Sequence, residues 1–588
     1  MSRGVASRSP ARARAGALVL ALIALGPVSI PLPPSVMAAA PAGRPAGAAV
    51  SPQDAGVVRL VLDGNSLSNR QMCAVLGAGS LAVSLSPVAR RRMEAYRQGA
   101  LDALASGQRV YGWNQALGPL KDRPLTTDEQ EAFQQHILRS HAAGVGPPFP
   151  DAVAALGLVM KANTMARATM GVRPELVDRL LSLVNGGLVP RMPEIGPLGT
   201  GDLQPMAEAG LVAMGEGAPA SLRGKVGQAP ELLAEAGLAP SFVFESGEAL
   251  PLISGNSLLA AGYADAVRRA ETLADVAEGA FALFMEATRA EASSLDPRTH
   301  DERRIPEEVE VAERLRALVH PSGWMTEEGR KRLGEDHPRI QDAVSVRAAP
   351  HIMGALRATL GEAYTILQRE ANASTSNPLI FPRDDGRGYE FVMGGNWDAA
   401  LMGHAMDSLN AQIADLGVLS QELSARLLSS TWSYGLPANL AGGKVGLNSG
   451  MVQVQTVAVA LIPEMQIRAV PAGILSRPAK FGQEDHNTMA MASLRNLDEN
   501  LDRLETVLAV QLLMSAQGID LIRPQMQGLS LGAGTDQLQT AVRRHIAPMG
   551  EDRYLSPDLE TMISLVQGTE LVGTVRRAAP PAELRCAA

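Results

Sequence analysis

Residues 255–292 form a proline-free, alanine-rich stretch. Alanine loses no side-chain entropy in a helix, and straight-chain residues lose little, so this stretch reads as one long helix. Comparable alanine- and leucine-rich patterns dominate from about Gln341 to about Val575. They are punctuated near Asn377-Pro378, Gly394-Gly395, Gly435 to Gly450 and Pro471 to Gly482. Aromatic residues make up only 3% of the chain, which leaves little of the material that strands favour. Long helices hide their apolar faces by packing on one another, so the fold class is all-α, a bundle of long helices. At 588 residues the chain exceeds one ordinary domain. It divides into an N-terminal part over 57–254, the helical bundle over 255–575 and a loose tail over 576–588. The charged stretch before about Gln341 reads as loop.

The first forty residues have the form of a secretory signal. Arg3, Arg8, Arg12 and Arg14 precede an apolar run from Ala15 to Leu25, and Met37-Ala38-Ala39-Ala40 offers a small-residue cleavage site. Prolines at Pro27, Pro31, Pro33 and Pro34 cut the run short of a membrane span. Residues 1–40 are therefore expected to be a signal peptide and 41–56 a disordered linker, with the mature protein exported and periplasmic in a Gram-negative cell. A net charge of −8 makes nucleic acid an unsuitable partner. Cys73 and Cys586 show no metal or redox spacing, and no disulfide framework is expected from them.

Three glycine-bounded segments interrupt the N-terminal part. Pro193-Glu194-Ile195-Gly196-Pro197-Leu198-Gly199-Thr200-Gly201-Asp202-Leu203-Gln204-Pro205-Met206 sets a hydroxyl residue between two glycines and follows them with an acid. Glycine permits left-handed backbone and close approach of other groups. Tyr111-Gly112-Trp113-Asn114-Gln115-Ala116-Leu117-Gly118 places a tyrosine in a tight loop, and Ser140-His141-Ala142-Ala143-Gly144-Val145-Gly146 does the same for a histidine. By themselves such segments are loops with packed polar residues.

In combination they resemble the histidine and phenylalanine ammonia-lyase family. The first matches that family's Gly-Ser-Val-Gly-Ala-Ser-Gly-Asp-Leu-Ala-Pro-Leu signature, whose Ala-Ser-Gly cyclises into the electrophilic methylidene-imidazolone, MIO. Gly199-Thr200-Gly201 occupies those positions, and Asp202, Leu203 and Pro205 match. The tyrosine loop resembles Tyr-Gly-x-Asn-Thr-Gly-Phe-Gly, which carries the catalytic tyrosine, and the histidine falls where the family contacts the substrate ring. Four further segments match in order. Ile340 to Arg347 resembles Val-Gln-Asp-Pro-Tyr-Ser-Leu-Arg and puts Arg347 on the arginine that grips a carboxylate, a task suited to a planar guanidinium fork. Ser376-Asn377-Pro378-Leu379 puts Asn377 beside that carboxylate, and Gly394-Gly395-Asn396-Trp397 sets Trp397 near the reacting group. Gln483-Glu484-Asp485-His486-Asn487-Thr488-Met489 places Gln483 and Glu484 at the substrate, with Glu484 able to accept from an imidazole.

The resemblance implies an all-α fold with a long central bundle of the ammonia-lyase (fumarase/aspartase-like) type and a smaller N-terminal active-site domain. It also implies a homotetramer whose sites draw on several subunits. The reaction is elimination: Tyr111 removes a proton beside the ring and an amine leaves the next carbon. Since free tyrosine titrates near about 10, the surroundings of Tyr111 are expected to lower its pKa.

Three departures cluster at the electrophile. Thr200 replaces serine, Ser254 replaces an assisting asparagine, and Val344 replaces a tyrosine of amine transfer. The ring, carboxylate and proton-removing positions survive. That selective loss suits a trimethylammonium substrate, which has no lone pair to add to MIO and already carries a good leaving group. Trp397, Trp113 or Trp432 could face such a cation. The expectation is MIO-independent release of trimethylamine from a histidine-like betaine such as ergothioneine, as in the MIO-free ergothionases, with no cofactor. The alternatives are a MIO-dependent histidine or aromatic amino acid ammonia-lyase with a cyclised Gly199-Thr200-Gly201, and a non-catalytic exported ligand-binding homologue. Lys444, in a glycine-rich loop, is a candidate for binding a sulfur-bearing ring or for lowering the pKa of Tyr111, or is simply solvated.

Overall fold

A computed structural model describes residues 56–337 and 339–586. The expected signal peptide, and the linker up to residue 55, lie outside the described residues. The centre is a bundle of long helices: Ser257–Thr288, Ala349–Glu370, Ala400–Leu427, Val452–Arg468 and Ala490–Ile522. Ala490–Ile522 packs against both Ser257–Thr288 and Ala400–Leu427. It is buried on nearly every side, with Leu494, Leu497, Leu501, Leu504 and Leu508 all inaccessible. A helix apolar all round belongs in a core. Truncating one of these leucines to alanine is expected to cost about 2–5 kcal/mol, from lost transfer energy plus a cavity.

The N-terminal part adds the helices Pro87–Ala105, Thr127–His141, Asp151–Ala166, Pro174–Asn185 and Leu203–Met214. Four small sheets brace their connections. Val57–Leu62 pairs in parallel with Ser80–Leu85, and Val145–Pro148 pairs antiparallel with Pro193–Ile195. Leu188–Pro190, Pro219–Leu222 and Lys225–Gln228 form a three-stranded sheet, and Leu379–Pro382 pairs with Tyr389–Val392. The 254/255 boundary falls in the bend before Ser257–Thr288, and one apolar core runs from Leu60 through Cys586 across it.

Three sequence expectations need correction. The charged stretch before Gln341 is not loop: it contains the helices Pro297–Arg303, Pro306–Val319 and Glu327–Lys331. Its charges misled because some are buried in pairs. Arg314 donates to Asp275 at 2.6 Å and Glu278 at 2.5 Å, and Arg357 and Arg576 converge on the same acids. The tail is not loose: the last helix runs Glu570–Ala578, Ala582 N donates to Glu310, and Cys586 is buried. Cys586 is bonded to Cys73 by a disulfide spanning 513 residues of sequence, where none was expected. Spacing in the chain gave no sign of a pairing that only the folded terminus creates.

Candidate active site

The strand Pro193–Ile195 delivers the chain into the glycine loop, and the helix Leu203–Met214 leaves it. Gly199 sits at φ +86° and Gly201 at φ +122°, both left-handed. A β-carbon on Gly199 would lie 2.3 Å from Thr488 Oγ1 and 2.8 Å from Ala490 Cβ, so no side chain fits. The Gly199 carbonyl accepts from Ala399 N at 3.0 Å and from Thr488 Oγ1 at 3.2 Å. The buried Thr200 hydroxyl donates to Asn487 Oδ1 at 3.1 Å.

Asp202 anchors this loop from beneath. Its amide donates to Gly255 O at 2.8 Å, and its Oδ2 accepts from Leu258 N at 2.7 Å, at the start of the longest N-terminal bundle helix. Lys161, fully buried, donates to Ser254 O and to Pro251 O. Burial drives the Asp202 carboxyl up and the Lys161 ammonium down, and each opposes the other's shift. Glu370, beside them, is pushed up to about 7 by burial, with a hydrogen bond from Asn256 opposing. Asn256 in turn donates to Trp397 O at 2.8 Å, which ties the tryptophan loop to the same buried cluster.

Above the glycine loop lies a cavity of about 530 Å³. Tyr111, His141, Thr200, Ser254, Asn377, Trp397, Gln483 and Glu484 all line it. Residues scattered over more than 370 positions thus meet around one space. Asn114 shapes the tyrosine loop by accepting from Val110 N at 2.7 Å and donating to Gln108 O at 2.8 Å. The Tyr111 hydroxyl accepts from Gly118 N at 2.8 Å. His141 Nδ1 bonds Ile137 O at 2.8 Å, which makes Nδ1 the donor and turns Nε2 into an acceptor. Burial lowers its pKa, which favours the neutral ring. Asn377 Oδ1 accepts from Gly394 N at 2.7 Å and so braces the segment that carries Trp397.

Tyr111 does not meet the expectation of a lowered pKa. Burial raises it, Gly118 N–H offsets part of that, and Glu484 adds to the rise. The lining cations each have partners of their own, Arg109 with Gln115 at 3.0 Å, Lys121 with Asp122 at 2.7 Å and Lys480 with Glu484 at 2.5 Å. Two tryptophans are also misplaced by sequence reading. Trp113 is fully buried in the core, edge-on to Phe391 and under Arg97. Trp432 is 57% exposed, against Arg426, and does not line the cavity.

Arg347 and Lys444 also stand apart from this cavity. Arg347 Nε donates to Asp342 O at 2.8 Å, and Lys444 is exposed. Sequence reading missed Lys161 and Lys480. The first had a signal, a single lysine inside the apolar run Leu156 to Ala166; the second had another, a lysine four residues before Glu484.

A family model described as aromatic amino acid lyase matches residues 67–544. The chain belongs to the aromatic amino acid lyase family. It is a carbon–nitrogen lyase. Among its relatives, the histidine ammonia-lyase of Chloroflexus aurantiacus is 35% identical over 512 residues, covering 86% of this chain and 96% of that one. A crystal structure of histidine ammonia-lyase from Trypanosoma cruzi has a TM-score of 0.78 at 31% identity, covering 89% and 96%. The ergothionase of Treponema denticola, an ergothioneine-degrading enzyme, has a TM-score of 0.81 at 23% identity, covering 87% and 99%, a likeness of fold.

Proposed function

We propose that this lyase eliminates trimethylamine from a histidine-like betaine such as ergothioneine, with Gly199-Thr200-Gly201 remaining an ordinary, uncyclised peptide. The observation that carries the reading is the packing of Gly199. Where the family signature has alanine, this chain has a left-handed glycine with Thr488 and Ala490 filling the space of a β-carbon. Thr200 adds a methyl to the carbon an amine would attack, and its hydroxyl is held by Asn487. These residues do not suit the family's prosthetic group, and a trimethylammonium substrate has no use for it.

The proton beside the ring passes to the Tyr111 oxygen. Its electron pair forms the carbon–carbon double bond, the carbon–nitrogen bond breaks, and neutral trimethylamine departs with that bond's electrons. The raised pKa of free Tyr111 fits such a substrate. A quaternary ammonium entering the cavity brings the opposite charge that favours the phenolate. Trp397 offers that cation an aromatic lining.

The same reading includes a homotetramer. The segments bearing Arg347 and Lys444 expose apolar side chains that a single chain leaves to water: Ile340 fully, Leu447 at 76% and Val344 at 66%. Assembly would bury them and supply a carboxylate-binding arginine to a neighbouring cavity. Export is supported by the Cys73–Cys586 disulfide, a bond that persists in oxidising compartments.

The relatives named histidine ammonia-lyase favour a second reading, elimination of ammonia through a threonine-derived MIO. Mass spectrometry of the peptide spanning 199–201 separates the two. An unmodified mass is expected; a peptide lighter by two waters would overturn the first reading.

A further inference from the structure

The cavity that Thr200 lines also presents three polar groups that the elimination chemistry does not use. His141 offers Nε2 as an acceptor, since Nδ1 is spent on Ile137 O. Glu484 offers the carboxylate oxygen that Lys480 leaves free, because Lys480 Nζ binds only Oε1, at 2.5 Å. Lys480 itself offers its remaining ammonium hydrogens, and all three residues line the same cavity. The cavity lining therefore offers two acceptors and, beside one of them, a charged donor.

The backbone holds Lys480 there at a cost. Lys480 at φ +50° and Phe481 at φ +54° are both left-handed without being glycine, and Gly482 follows at φ +82°. Two consecutive residues of this kind carry backbone strain of the sort that clusters at functional sites. The loop is closed by Ala479 N donating to Glu484 O at 2.8 Å, which sets Lys480 and Glu484 side by side.

Resting on the betaine reading above, we propose that Lys480 is a specificity determinant that selects an imidazole carrying an acceptor, a thione sulfur or its oxygen counterpart, on the carbon between its nitrogens. A ring in the thione form presents N–H, C=S, N–H along one edge. The two N–H groups meet His141 Nε2 and the free Glu484 oxygen, and the sulfur takes the Lys480 ammonium. A neutral imidazole has one N–H and a bare C–H facing the ammonium. An imidazolium has two N–H groups but sets its own charge against Lys480. Both give up the added bond to the Lys480 ammonium, which is how a polar site discriminates against an analogue lacking the matching group.

The test uses the full-length mature protein and two ring fragments, 4-methyl-2-mercaptoimidazole and 4-methylimidazole, titrated by calorimetry into wild type, Lys480→Met and Lys480→Gln. Wild type is expected to bind the thione about 10- to 100-fold more tightly, the value of a hydrogen bond to a charged group, and both variants to lose that preference. Equal binding of the two fragments by wild type, or a preference that survives in both variants, overturns the inference. Because fragment binding needs no turnover, the outcome stands whichever amine the enzyme releases. Failure of the betaine reading would appear separately, as ammonia rather than trimethylamine from intact substrates.

Discussion

The floor of the cavity and the segments around Arg347 and Lys444 are both built from family motifs, yet one is finished within the chain and the other is not. At the floor, the Thr200 hydroxyl donates to Asn487, Asp202 is held by Gly255 O and Leu258 N, and the Ser254 and Trp397 carbonyls accept from the buried Lys161 and Asn256. Around Arg347 and Lys444 the neighbours are exposed apolar residues such as Ile340 and Leu447. On the proposed reading, the difference gives chemistry and substrate capture separate supports: proton removal would be organised inside one subunit, and carboxylate binding would wait on assembly.

The largest effect that sharpens this contrast is at the base. Tyr111→Phe is expected to lower kcat by about 10²–10⁴-fold, the usual contribution of a positioned general base, with the fold intact by circular dichroism. A variant retaining near-full activity would remove proton transfer from the floor. Next comes stability. Lys161→Met leaves Asp202 buried without its counter-charge and is expected to cost about 3–5 kcal/mol in urea unfolding. Lys444→Met, on the unfinished side, is expected to stay within about 0.5 kcal/mol of wild type.

The contrast breaks or holds on subunit mixing. Arg347→Ala is expected to raise KM about 10- to 100-fold by losing a charge-assisted contact. Co-assembling it with Tyr111→Phe is expected to raise kcat/KM above the average of the two variants alone, because on this reading one subunit supplies the base and another the arginine. No recovery would place both in one subunit. The smallest effect is in pH. Burial raises Glu286 to about 7, although Ser322 O–H, Gly532 N–H and Thr535 O–H bonds oppose it. Its folded pKa exceeds the unfolded one, so its stabilisation is present below about 4.5 and lost as pH rises through about 7. Urea midpoints for wild type are expected to fall more steeply over that window than those for Glu286→Gln; parallel slopes would contradict the shift.

Much of the frame was legible in residues. Alanine-rich periodicity marked the helix Ser257–Thr288 to within a few residues at either end. Glycine loops marked Tyr111, His141 and Thr200, which do share a cavity. What escaped reading depended on partners distant in sequence. The helix Pro306–Val319 looked like loop because nothing local shows that Arg314 is buried against Asp275 and Glu278. Cys73 and Cys586 gave no sign of pairing across 513 residues. The pKa of Tyr111 was expected to fall from its role, whereas its surroundings in one chain raise it. Trp113 was chosen by residue type, and packing sends it to the core.

The central claim is that a quaternary amine leaves without a cyclised tripeptide. The direct test is to identify the amine released when the purified mature protein is given ergothioneine, histidine betaine and histidine in parallel. Trimethylamine from a betaine, with no ammonia from histidine, is the predicted result. Ammonia from histidine without trimethylamine from either betaine would contradict it.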